Sequence, residues 1–241
     1  MLPSVTVKEM TEIDRLMVEE LGIGLPQMME HAGRNLTEVA RTLLGGELER
    51  KKIVVLVGPG NNGGGGMVAA RHLANAGASV VVVLGQAAVR LKEIAAQQHA
   101  TLLRMGVRIV VFDSGDAEAL AACLGPSALV IDALLGYSLN GPPRGAIATL
   151  IRQANGSCRP ILALDLPSGL HPDTGETSNP CIRAHTTLTL GLPKRGLLAP
   201  TAKPYVGRLW VGDIGVPPAV YERVGLRVSS LFHRAPVVPV D

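Results

Sequence analysis

The sequence predicts an α/β protein with a mostly parallel sheet covered by helices on both faces, in a single domain over residues 1–241. Three observations carry this expectation. Short, near-continuous Val/Ile/Leu runs recur at 53–57, 79–84, 107–112, 128–132 and 160–165, as strands buried on both faces require. The first run, Ile53–Val57, passes through Gly58-Pro59-Gly60-Asn61-Asn62-Gly63-Gly64-Gly65-Gly66 into a stretch where Met67, Ala70, Leu73 and Ala74 fall at helical spacing. The chain is 241 residues long and 47% hydrophobic, enough for one sizeable core, and no repeat or linker divides it.

In order, Thr6 to Glu20 reads as a helix with Met10, Ile13, Met17 and Leu21 on one stripe. A Gly/Pro break from Gly22 to Pro26 leads to a second helix, Gln27 to about Leu44, which stops at Gly45-Gly46. These two helices precede the sheet and either wrap it or make a subunit contact. Strand 53–57 then feeds helix 67–76, strand 79–84 a helix from about 87 to 105, and strand 107–112 helix 116–124. Strand 128–132 feeds a helix from about 145 to 154, and strand 160–165 follows. Later strands near 185–190 and 207–212 are expected at one side of the sheet. The proline-bearing tail, Leu226 to Asp241, reads either as a peripheral strand or as loosely ordered chain.

A net charge of +3, with no basic run longer than Lys51-Lys52, points away from nucleic acid and membrane surfaces. Cys123, Cys158 and Cys181 are odd in number and far apart, which fits neither a zinc site nor a disulfide framework. The N-terminus has Lys8, Glu9, Glu12 and Asp14 where a signal peptide needs an apolar core. No stretch approaches the ~18 apolar residues of a membrane span. The expectation is a soluble cytoplasmic protein.

Strand, glycine loop and helix N-terminus together form an anion-cradling arrangement, because glycines let backbone N–H groups approach a phosphate and the helix dipole favours it. Gly58, Gly60 and Gly63 satisfy G-x-G-x-x-G, a weak signal alone. The ribose-binding acid of a dinucleotide fingerprint is missing at Val83-Leu84-Gly85-Gln86, which disfavours an ordinary NAD-dependent dehydrogenase. No Lys-Ser or Lys-Thr pair follows the glycines, so this is not a Walker A loop.

Two other strand ends are unusual. Asp132 opens Asp132-Ala133-Leu134-Leu135-Gly136-Tyr137-Ser138-Leu139-Asn140-Gly141, and Asp165 opens Asp165-Leu166-Pro167-Ser168-Gly169. Either aspartate alone can be a turn cap. Both at one end of a parallel sheet, beside a glycine loop, make a candidate site. Asn62, Asp132 and Ser168 offer hard oxygen donors for a monovalent or divalent cation. The six histidines show no metal spacing. Lys194-Arg195 reads either as a phosphate contact or as a solvated turn, and Ser168 lies in no G-x-S-x-G elbow.

Gly58-Pro-Gly-Asn-Asn-Gly-Gly, Ala69-Ala70-Arg71-His72-Leu73, Asp132-Ala-Leu-Leu-Gly136 and Asp165-Leu-Pro-Ser-Gly169 together resemble the NAD(P)H-hydrate epimerase family, or YjeF N-terminal domain. Leu190 to Lys194 and the opening Glu9-Met10, Ile13-Asp14 and Gly33 fit as well, so the resemblance runs from about 7 to 225. It implies a Rossmann-like three-layer α/β/α sandwich, a homodimer, and interconversion of the R and S forms of hydrated NADH or NADPH (NADHX, NADPHX) at C6 of the nicotinamide ring. A separate ADP- or ATP-dependent dehydratase would then consume the S form; this chain is too short to carry it as well. By position, Asn61, Asn62, Gly63, Gly64 and Gly65 would line the dinucleotide, and Gly136, Tyr137, Ser138, Leu139, Asn140, Gly141 and Pro142 would hold its phosphates. Asp165 would contact the altered ring as general acid/base, and Asn62, Asp132 and Ser168 would hold a potassium ion (K+). One departure stands out: the family reads Asn-Asn-Gly-Gly-Asp-Gly, and this chain has Gly65 where the acid belongs. A binding or scaffold module of the same fold, catalytically weakened, is therefore the alternative expectation.

Overall fold

The computed structural model describes residues 2–112, 117–138, 141–228 and 231–240. Its strands are β1 (Lys52–Val57), β2 (Ser79–Leu84), β3 (Arg108–Val111), β4 (Leu129–Ala133), β5 (Ile161–Leu164), β6 (Thr186–Leu190), β7 (Arg208–Gly212) and β8 (Val237–Pro239). They form an eight-stranded sheet in the order β3-β2-β1-β4-β5-β6-β7-β8. All neighbours are parallel except β7 and β8. The strand order reverses between β1 and β4, the place where parallel α/β sheets leave a crevice at their carboxyl ends.

The helices are α1 (Val7–Arg15), α2 (Leu25–Leu43), α3 (Asn61–Asn75), α4 (Glu93–Arg104), α5 (Ala117–Leu124), α6 (Gly145–Gly156), α7 (Lys203–Val206) and α8 (Pro218–Arg223). Strand parity explains the three layers. Ile53, Val55 and Val57 face one side and pack with Leu36 and Val39 of α2, Met67 and Leu73 of α3, and Leu102 of α4. Val54 and Leu56 face the other side and meet Leu120 and Leu124 of α5 and Leu150 and Ile151 of α6. Both parities are apolar because both faces are covered.

The expected elements are present, with shifts at their ends. Helix α1 begins after Thr6, whose side chain caps the Glu9 backbone while the Glu9 carboxylate accepts from the Thr6 backbone N–H at 2.7 Å. Its continuation, Leu16–Glu20, widens into a π turn. Helix α4 is shorter than expected, beginning at Glu93. The larger difference is α3, which starts at Asn61 rather than Met67, so Gly63 to Gly66 lie inside the helix. Packing accounts for this: a Cβ at Gly66 would stand 2.4 Å from Ala133 Cβ, and one at Gly64 would stand 2.6 Å from the Met29 sulfur. Helix propensity is given up so that α3 can press against β4 and α2. The tail contributes β8, an antiparallel edge strand. Among the described residues no helix is long and apolar enough to cross a membrane, and Cys123, Cys158 and Cys181 are all free.

Candidate active site

A cavity of about 350 Å³ opens at the carboxyl ends of β1, β4 and β5. The N-terminus of α3 supplies Asn61, Asn62 and Gly65, the turn after β4 supplies Gly136, Tyr137 and Ser138, and the end of β5 supplies Leu164 and Asp165. Helix α1 closes one part of the wall with Met10 and Asp14, and Lys194 enters from the chain after β6.

Asp165 is held in the left-handed backbone region, φ +69°, an uncommon conformation for a residue with a side chain. Its N–H donates to Leu188 O at 2.7 Å, and the next N–H, of Leu166, donates back to Leu164 O at 2.9 Å. This tight turn aims the carboxylate into the cavity. There Lys194 Nζ donates to Asp165 Oδ1 at 2.5 Å and to Leu190 O at 3.0 Å. Lys194 is only 1% exposed, so the solvated-turn reading of this residue does not hold, while Arg195 beside it is exposed. The lysine is fixed by the N-terminal segment: Val5 N–H donates to Pro193 O and Arg195 N–H donates to Val5 O, each at 2.9 Å.

Asp132 lies deeper and is fully buried. Its Oδ1 accepts from the Ser168 hydroxyl at 2.6 Å and from Leu134 N–H at 3.2 Å, and its Oδ2 accepts from Ser168 N–H at 2.8 Å. Ser168 Oγ in turn accepts from Leu135 N–H at 3.0 Å, which ties the turn after β5 to the turn after β4. Burial pushes the Asp132 carboxyl up to about 6, against the pull of these three donors. Every one of those donors is neutral, so the buried charge lacks an ionic partner among them. The Asn62 Nδ2 is also buried and unpartnered among the described residues, and a Cβ at Gly136 would sit 3.1 Å from Asn62 Cβ. An amide oxygen, a hydroxyl and a carboxylate with only neutral donors are hard-oxygen donor types of low total charge, the kind that a potassium ion takes.

Of the residues singled out from sequence, Asn61, Asn62, Gly65, Gly136, Tyr137, Ser138 and Asp165 line this cavity, while Asp132 and Ser168 are outside its lining. Gly63 and Gly64 do not line the cavity; a Cβ at Gly63 would stand 2.0 Å from Gly58 O, so both glycines serve close packing. Gly141 and Pro142 are exposed and outside the lining, and Leu139 and Asn140 lie outside the described residues. Sequence reasoning offered Lys194 as a phosphate contact or a solvated turn and assigned no role to Asp14. Asp14 carried a signal: it stands four residues after Met10 on the apolar stripe of α1, where a carboxylate is costly to bury without a purpose. Gly65 lines the cavity in place of the acid usual at that position, with Leu164 Cδ2 3.0 Å from where its Cβ would be.

A family profile described as "YjeF-related protein N-terminus" matches residues 25–196. An NAD(P)H-hydrate epimerase of Dehalogenimonas lykanthroporepellens is 46% identical over 92% of this chain and 86% of its own length. One from Lentilactobacillus buchneri is 35% identical over 90% of this chain and 96% of its own. A bifunctional NAD(P)H-hydrate repair enzyme of Thermofilum pendens is 36% identical, but the chain spans only 42% of that protein. Among solved structures, yeast ynu0 superposes with a TM-score of 0.83 at 27% identity, over 99% of this chain and all of that one.

Proposed function

The chain belongs to the YjeF-related N-terminal family, and on that premise we propose that it is an NAD(P)H-hydrate epimerase, an isomerase that interconverts the R and S forms of NADHX and NADPHX at C6. The observation that carries this reading is Asp165, held at the end of β5 in a left-handed turn and presented to the cavity beside Lys194. C6 of the hydrated ring bears a hydroxyl and the ring nitrogen, so its inversion needs proton exchange and no redox partner. A carboxylate placed against a buried ammonium is suited to that exchange. The cavity volume, about 350 Å³, suits the altered ring and its ribose. The phosphates and adenosine then lie along the open rim, over Asn61, Asn62 and the turn from Gly136.

Asn62, Asp132 and Ser168 would hold K+, whose charge would offset the buried Asp132 and brace the two turns that Ser168 joins. The S form is the substrate of a separate ADP- or ATP-dependent dehydratase in this reading. Support comes from bifunctional repair relatives, of whose length this chain spans about two fifths. A homodimer in a reducing cytoplasm completes the proposal; the free cysteines and the exposed Val18 and Leu21 past α1 are consistent with it. The test is incubation of purified protein with R-NADHX in potassium buffer, followed by chromatography of the two epimers. Production of the S form by the parent chain is expected. No turnover, by the parent or by a Gly65→Asp variant, would instead leave the binding-module reading.

A further inference from the structure

The cavity holds a second ionisable centre that the reading above leaves without a task. The Tyr137 hydroxyl donates to Asp14 Oδ2, and both residues line the same cavity as Asp165. They come from separate elements, Asp14 from α1 and Tyr137 from the turn after β4. Lys194 stands beside both centres: its Nζ is 2.5 Å from Asp165 Oδ1 and 5.6 Å from the centroid of the Tyr137 ring. Next to Met10, Met28, Leu164 and Ile214 of the same wall, this is a concentration of proton-bearing groups that packing alone does not call for.

We propose that Asp14 is a second proton-exchanging residue of the epimerisation, complementary to Asp165 and positioned by the Tyr137 hydroxyl; the inference rests on the epimerase reading. Inversion by loss and return of the hydroxyl moves one proton on and one proton off. A carboxyl group protonates the departing C6 hydroxyl, the C6–O bond breaks with its electron pair leaving in water, and the ring-nitrogen lone pair forms a C6=N1 bond. Water then adds to the opposite face, the C6=N1 pair returns to nitrogen, and a carboxylate takes the proton that the water sheds. Nothing is oxidised or reduced. Donor and acceptor act on opposite faces of C6, and one carboxyl group cannot serve both without the ring turning over between the two steps. Two carboxyl groups that line one cavity from different elements, α1 and the end of β5, can divide the two steps between them, and they exchange roles when the reaction runs backwards.

The surroundings of Asp14 agree with this task. Burial raises its affinity for a proton, and Asp165 adds to that effect; the Tyr137 hydrogen bond and the Lys194 ammonium oppose it. The net direction is upward, toward the pH range in which a carboxyl group both gives and takes a proton. Tyr137 is itself held protonated by burial and by Asp14, with Thr11 acting in the other direction, so it orients Asp14 rather than ionising in its place.

The test compares the full-length parent with Asp14→Asn and Tyr137→Phe, measuring kcat and KM for R-NADHX across pH, with a thermal melt to confirm folding. Asp14→Asn is expected to lower kcat about 10²–10⁴-fold with KM little changed, and to abolish one limb of the pH profile. Tyr137→Phe is expected to cost about tenfold and to move that limb to higher pH, because the hydrogen bond it removes favours the Asp14 carboxylate. A folded Asp14→Asn within about threefold of the parent, with the same pH profile, overturns the inference while leaving the epimerase reading intact. Should Asp14→Asn fail to fold, an unmoved limb in Tyr137→Phe overturns it equally. A silent parent chain overturns the epimerase reading and the inference together.

Discussion

Asp132 and Asp165 occupy matching places in the sequence, each where an apolar strand gives way to a glycine-bearing turn, yet the tertiary structure uses them in opposite ways. Asp132 still belongs to β4, is fully buried, and spends both oxygens on neutral donors that join two turns. Asp165 has left its strand, turns into the left-handed region, and reaches the cavity against a buried ammonium. A strand-end aspartate facing protein N–H groups becomes a brace or a cation ligand. Under the epimerase proposal, one facing a cavity and a lysine serves as the reactive group. The lesson is that residue type and strand position select a shortlist, while the partner chooses the role.

The widest separation between the two is expected in activity. Asp165→Asn should lower epimerisation about 10²–10⁴-fold, and it should also lower the melting temperature, because the buried Lys194 ammonium loses its carboxylate. Near-parental turnover in that variant would remove Asp165 from the chemistry. Lys194→Met should act on stability as strongly, because it leaves Asp165 buried beside no cation; about 3–5 kcal/mol is expected by denaturant unfolding. Adding Asp165→Leu should recover part of that loss, and no recovery would mean that the pair is not what the lysine serves.

Asp132 offers a gentler probe. Burial raises its carboxyl from an ordinary 3.8 to about 6, so the folded chain binds that proton more tightly than the unfolded chain does. The stability this contributes is complete below about pH 4 and is lost as pH rises through about 6. In potassium-free buffer about 1–3 kcal/mol should disappear over that window. Adding K+ above pH 6 should restore part of it in the parent and none in Asp132→Asn. A potassium response that survives Asp132→Asn would place the ion elsewhere.

The smallest effect is expected from Gly65→Asp. The new Cβ meets the end of a flexible leucine at 3.0 Å, so a shift of a few tenths of an ångström accommodates it at a cost of about 1 kcal/mol or less. Parental activity at or above the level of the variant would show that Asp165 suffices without a carboxylate at 65. A large gain in the variant would move part of the chemistry to α3.

Several features were legible because they depend on local pattern. Val and Ile at both parities of β1, β2 and β4 announce a doubly covered sheet, and Gly45, at positive φ, follows a helix that ends there. The two aspartates and Ser168 were visible for the same reason, as polar residues where apolar runs stop. The start of α3 was misread because glycine normally argues against a helix; here Gly33, Gly64 and Gly66 are required by helix–helix and helix–strand approach across the fold. Lys194 was ambiguous because its partner is 29 residues away in sequence. Tyr137 and Asp14 are separated by 123 residues, and no spacing rule connects them.

By itself the sequence determined the alternating α/β architecture, the glycine-rich entrance to α3 and the shortlist of polar residues at strand ends, since these follow from short-range periodicity and backbone preference. Only the tertiary structure decided which of those residues share a cavity, which glycines pack rather than bind, and that Asp165 is paired with Lys194 and Asp14 with Tyr137. Pairing depends on distance in space, and burial turns a charge that would be unremarkable in water into one that must be compensated.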